Sequence, residues 1–109
     1  MLTRGEHKAL ALFRALATRL QEDPAVIGRA RQRLIALSEQ HPHARRYYSE
    51  WDDLLTGDRR RLLEVMTSES EHSCALRQES PFAGVISQAQ RAAIFRSVVE
   101  RLGSAQADG

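Results

Sequence analysis

Ala9, Leu12, Phe13, Leu16, Ala17 and Leu20 recur at intervals of three and four, and similar spacing returns in most later stretches. On a helix of about 3.6 residues per turn this spacing collects apolar side chains on one flank, which must then be covered by another helix. No alternating apolar and polar run of strand length competes with it, and β-branched residues are sparse. The expected fold is therefore all-α, a single small domain of five to six helices.

Breakers divide the pattern. Asp23-Pro24 closes the first helix and opens a second, with Asp as N-cap and Pro in the first turn. Ile27, Ala30, Leu34 and Leu37 form a short seam on that second helix, so residues 1–41 read as a helical hairpin whose stripes face each other. His41-Pro42 ends it, because the residue before Pro avoids helical geometry. Ala44, Tyr47, Tyr48, Trp51, Leu54 and Leu55 mark a third helix, which Gly57 is placed to stop in the left-handed cap conformation. Asp58 caps a short fourth helix carrying Leu62, Leu63, Val65 and Met66. Ser68 with Glu71, and Ser87 with Gln90, have capping-box spacing and open the fifth and last helices. Ala92, Phe95, Val98, Val99 and Leu102 line one side of the last helix, Gly103 is expected to end it, and 103–109 reads as a flexible tail. Residues 43–102 thus hold the shorter helices in one domain with the hairpin.

Composition narrows the function classes. With 109 residues, 42% apolar and 28% charged, the chain suits one globular domain with a real core. No run reaches the ~18 apolar residues of a membrane span, and the N-terminal residues lack the apolar stretch of a signal peptide. A single cysteine, Cys74, rules out an internal disulfide. The expectation is a cytoplasmic protein without membrane attachment. Sixteen basic residues stand against fourteen acidic ones, a net of +2 that gives no concentrated nucleic-acid face.

Catalytic and metal-binding arrangements are expected to be absent. His72 and Cys74 stand two apart on a helix and point in opposite directions, so that helix cannot bring them to one metal. Asp52/Asp53 and Glu69/Glu71 diverge around their helices rather than meeting at one substrate atom. No phosphate loop, metalloprotease helix motif or nucleophile elbow occurs. The chain reads as a non-enzyme with no cofactor and no metal.

One segment departs from the helical pattern. In "LRQESPFAGVIS", Leu76–Ser87, Pro81 removes a backbone donor and forces Ser80 out of helix, while Gly84 permits a backbone closed to other residues. The segment is an ordered corner, and its Phe82 and Ile86 either plug the chain's own bundle or dock on a partner. Trp51, Tyr47 and Tyr48 pose the same alternative. Trp, Tyr and Arg dominate protein–protein hot spots, and adjacent tyrosines cannot both point inward. Candidate partner-binding residues are Tyr47, Tyr48, Trp51, Arg77, Gln78, Pro81, Phe82 and Ile86.

Tyr47–Ser87 contains Trp followed by Leu-Leu and Gly, a Leu-Leu helix, Thr-Ser-x-Ser-Glu, and Leu-Arg-Gln-x-Ser-Pro-Phe-Ala-Gly-Val. This resembles a pattern in small bacterial proteins, some of them encoded beside nucleotidyltransferase-like toxins. The resemblance implies an antitoxin: a protein-binding member of a toxin–antitoxin system that covers the active site of a co-encoded partner. It transfers no catalytic residue, and the N-terminal hairpin lies outside it.

Two alternatives stand beside that reading. A DNA-binding regulator would use helix-turn-helix dimensions around residues 58–79, with Arg59, Arg60 and Arg61 on phosphates. Its recognition helix, "SESEHSCALRQ", would open acidic against the phosphate backbone. A homo-oligomeric structural protein, or a homodimer, would instead pair through the Ile27–Leu37 seam.

Overall fold

The computed structural model describes residues 1–107. It consists of helices α1 (Arg4–Glu22), α2 (Ala25–Gln40), α3 (Arg45–Thr56), α4 (Arg59–Thr67), α5 (Glu71–Gln78) and α6 (Gln88–Ala107), with a 3-10 turn at Pro42–Ala44 between α2 and α3. The chain is all-α, and no strand occurs among the described residues.

Local chemistry accounts for most boundaries. Thr3 and Glu6 form a reciprocal capping box that starts α1, with Glu6 N–H donating to Thr3 Oγ1 at 3.1 Å and Thr3 N–H to Glu6 Oε1 at 2.9 Å. Asp58 caps α4 by accepting from Arg61 N–H at 3.4 Å. Ser87 and Gln90 exchange the two bonds of a second box at the head of α6.

Four boundaries differ from expectation. The N-cap of α2 is Pro24, with no side-chain cap bond. Asp23 instead ends α1 and accepts from Ala25 N–H at 3.2 Å, because the chain turns at Asp23, one residue before that cap. The cap of α5 is Ser70, which accepts from Ser73 N–H, while Ser68 Oγ accepts from Ser70 N–H to shape the turn before it. Gly57 has φ −96°, not the left-handed value; its backbone passes so near Asp53 that a Cβ would sit 3.0 Å from that carbonyl oxygen. Helix α6 continues through Gly103 to Ala107. The remainder of the expected tail, 108–109, lies outside the described residues.

Helix α1 is the organiser. It packs on α2, α4, α5 and α6, while α2 lies more extensively against α3 than against α1. The expected hairpin exists, but its second arm turns much of its stripe towards α3. Phe13, Leu16 and Leu20 from α1 meet Val26, Leu34, Trp51, Leu55, Leu62, Met66, Leu76 and Phe82 in one apolar cluster. Burial of each large side chain there contributes roughly 1.5–3 kcal/mol. Ile27 and Leu37 are partly buried against the same cluster, so the seam suggested for pairing two copies is occupied by the fold itself. Ile35, 66% exposed, is the large apolar residue that α2 leaves outside. On α6 only Val98 is fully buried among the stripe residues; Val99 remains 38% exposed.

Candidate functional site

Helix α5 ends against Pro81, which leaves its last carbonyls without the usual partners. The Leu76 carbonyl is satisfied twice, by Glu79 N–H at 3.0 Å and by the indole N–H of Trp51 at 3.0 Å. Tyr48, one turn earlier on α3, donates its hydroxyl to Glu79 Oε2 at 3.2 Å. Burial, followed by that hydrogen bond, holds the Tyr48 phenol above its ordinary pKa of 10.0. The elbow that follows is pinned from within: Phe82 N–H donates to Ser80 Oγ, and Val85 N–H to the Phe82 carbonyl.

Phe82 points into the bundle. Its ring meets Phe13 edge-on at 5.7 Å between centroids and Trp51 at 5.5 Å, while Phe13 stacks on Trp51 at 5.9 Å. Gly84 turns the chain back towards α6 with φ +84°, in open space where no neighbour would touch a Cβ. The expected conformation of this glycine is therefore present.

Arg77 is the exceptional residue. It is 4% exposed and forms no ion pair among the described residues. Nη1–H donates to the Met66 carbonyl at 3.1 Å and Nη2–H to Cys74 Sγ at 3.4 Å, but Nε–H is buried without a partner. A buried cation held only by neutral acceptors is costly unless an opposite charge lies near. The Cys74 thiol is raised above its ordinary value of 9.0, first by burial and then by a hydrogen bond with Glu6; the Arg77 charge acts the other way. The thiol donates to the Glu69 carbonyl at 4.0 Å and accepts from Arg77 Nη2–H.

Beside Arg77 opens a cleft of about 460 Å³ between α1, the elbow and α6. Ala9, Leu12, Ile86 and Phe95 give it partly buried apolar walls, and Lys8 and Arg91 join Arg77 in its lining. Lys8 Nζ lies 5.6 Å and Arg91 Cζ 5.3 Å from the centroid of the Phe95 ring. Among the described residues, no carboxylate lines the cleft. On the other flank of the elbow, Arg19, Arg29 and Arg33 line a smaller hollow with Pro81, Ala83, Gly84 and Val85. The elbow is thus a ridge with cations on both sides.

These positions revise the partner-binding set. Tyr48, Trp51, Arg77, Pro81 and Phe82 are all buried, because α3 packs on α2 and α4 and the elbow turns Phe82 onto the Phe13 and Trp51 rings. They brace the ridge rather than offer a surface. Gln78 is exposed; Tyr47 and Ile86 are partly exposed, with Arg46 lying 5.2 Å over the Tyr47 ring. Exposed Ala83 and Gly84 crown the ridge.

Arg59, Arg60 and Arg61 are exposed at the head of α4. Arg60 reaches Glu64 at 3.5 Å, and Arg61 shares a hollow with Glu50, Asp53 and Asp58. His72 pairs with Glu50, not with Cys74.

Lys8 and Arg91 were not singled out from the sequence, and Phe95 was read there only as part of the last helix's apolar stripe. Arg91 and Phe95 stand four apart on one helix, a spacing that does place cation over ring and was there to read. Lys8 joins them only because α1 packs against α6, a long-range contact no local pattern encodes. Comparison with known proteins adds no relative: no family model, no curated protein and no solved structure matches this chain significantly.

Proposed function

We propose that this chain is a non-catalytic binding protein that presents the elbow ridge to a protein partner. The partner, as the Tyr47–Ser87 resemblance implies, is a co-encoded nucleotidyltransferase-like toxin whose active site is covered on binding. The supporting observation is the division of labour inside the shared string. Trp51, Arg77, Pro81 and Phe82 build and pin the elbow from within, and Gln78, Ala83 and Gly84 face outward from it. A rigid ridge loses little conformational entropy on association, which is what a small sequestering protein requires.

The test is capture of the neighbouring gene product by tagged chain, followed by assay of the toxin. Ala83→Arg places bulk on the exposed crown without touching the core. It should abolish capture and neutralisation while leaving the helical circular dichroism spectrum unchanged. Capture undiminished by Ala83→Arg, or a neighbouring product that never binds, would overturn the assignment.

A further inference from the structure

We propose that the cleft between α1, the elbow and α6 binds a small amphipathic anion, a carboxylate or phosphate carried on an apolar body. The inference stands on the cleft alone and does not depend on the identity of a protein partner.

Three positive groups converge on this cleft with no negative one among its lining residues. Lys8 and Arg91 are both held at the Phe95 ring, at 5.6 and 5.3 Å from its centroid. A neutral ring attracts each cation but cancels none of the repulsion between them. Arg77 adds a third charge from beneath, fixed by the Met66 carbonyl and the Cys74 sulfur. Its Nε–H has no acceptor, and burial makes its field less screened than that of a surface charge. Glu6, which acts on the Cys74 thiol, is not among the residues that line the cleft.

An anion here relieves all three cations. Lys8 and Arg91 offer mobile donors for direct contact, Gln78 and Ser80 offer neutral ones, and Arg77 supplies fixed potential. Ala9, Leu12 and Ile86 provide apolar wall beside the charges, which selects for a ligand that is not purely ionic. The volume, about 460 Å³, lies within the range of about 300–1,000 Å³ usual for small-molecule pockets.

The test uses the ¹⁵N-labelled full chain. Arginine Nε–H resonances report the site directly, since Arg77 Nε–H is buried and Arg91 lies at the mouth. Phenyl phosphate and benzoate are the probes, with phenol and inorganic phosphate as controls. Saturable shifts at Arg77 and Arg91 Nε–H and at the Lys8 amide are expected for both probes, and which binds tighter distinguishes a phosphate from a carboxylate ligand. The double variant Lys8→Gln/Arg91→Gln, with its fold verified by circular dichroism, should weaken binding at least about tenfold, equivalent to ~1.4 kcal/mol.

Absence of saturation with either probe would overturn the proposal, as would binding unaffected in the double variant. Phenol binding as well as phenyl phosphate would remove the anion from it. Inorganic phosphate binding equally well would remove the apolar body. Because no partner is present in these titrations, their failure is distinct from failure of toxin capture; Ala83→Arg, whose position also lines the cleft, is used only in the capture test.

Discussion

The indole N–H of Trp51 donates to the carbonyl of Leu76 at 3.0 Å, joining the middle of α3 to the last turn of α5. This bond lies in the core and holds the start of the elbow, so one residue couples packing to the shape of the exposed ridge. Trp51→Phe keeps an aromatic ring but withdraws a donor. It should cost about 1–3 kcal/mol, from the weakened satisfaction of Leu76 and the smaller volume. Trp51→Ala should cost about 3–5 kcal/mol. Urea denaturation of the two variants checks the order; equal and negligible losses would refute the coupling.

Gly84 has φ +84° with nothing near enough to touch a side chain. Gly84→Ala therefore isolates backbone strain, and should destabilise by about 1–2 kcal/mol with no steric contribution. Gly84→Asn should lose less, because Asn tolerates the left-handed region better. A shift in the urea midpoint without a change in slope is the expected result.

Arg77 carries a charge into the core without a carboxylate in contact. Arg77→Met keeps an unbranched stem and removes the charge, so it should alter stability by less than about 2 kcal/mol despite the donor lost to Met66. Arg77→Lys keeps the charge but cannot span both acceptors in the same planar geometry, and should be the more destabilising of the two. Thermal melts in low salt rank them; a Met variant far less stable than the Lys variant would contradict this account.

Three groups make the stability pH-dependent: Glu6 on the acid side, and Tyr48 together with Cys74, whose thiol is raised above 9.0 by burial and then by Glu6, on the alkaline side. Tyr48 titrates above 10.0 in the fold, owing to burial and then to Glu79, so its contribution is complete below pH 10 and is lost as pH rises through the folded value. Glu6 titrates below 4.5, first through the Thr3 backbone N–H and then through Cys74. Its contribution is complete above the unfolded value and disappears as pH falls through the folded one. Urea midpoints should fall at both extremes. Tyr48→Phe should reduce the alkaline limb to the part Cys74 contributes and leave the acid limb unchanged. Glu6→Gln should flatten the acid limb and, because Glu6 also raises the Cys74 thiol, soften the alkaline one.

Fold class was legible because period and punctuation agreed at almost every boundary. Asp58, Pro42 and the Ser87–Gln90 pair each ended or began a helix where their chemistry requires. Ser68 misled because Ser70 offers the same hydroxyl two residues later, and spacing alone does not choose between them. The candidate site was only half legible. The string around Pro81 announced an elbow, yet whether Phe82 pointed in or out depended on Phe13 and Trp51, which approach it from distant parts of the chain. The cleft cations were hidden for the same reason: their proximity comes from tertiary packing.

Helix α6 packs chiefly on α1, whereas α1 is also gripped by three other helices. The longest element in the fold is therefore a clasp held mainly along one edge. Its opening needs no rearrangement of the Trp51 cluster. Amide protons on α6 will exchange through that partial release, far sooner than those of α1, and the two cations over Phe95 will separate each time the clasp swings away.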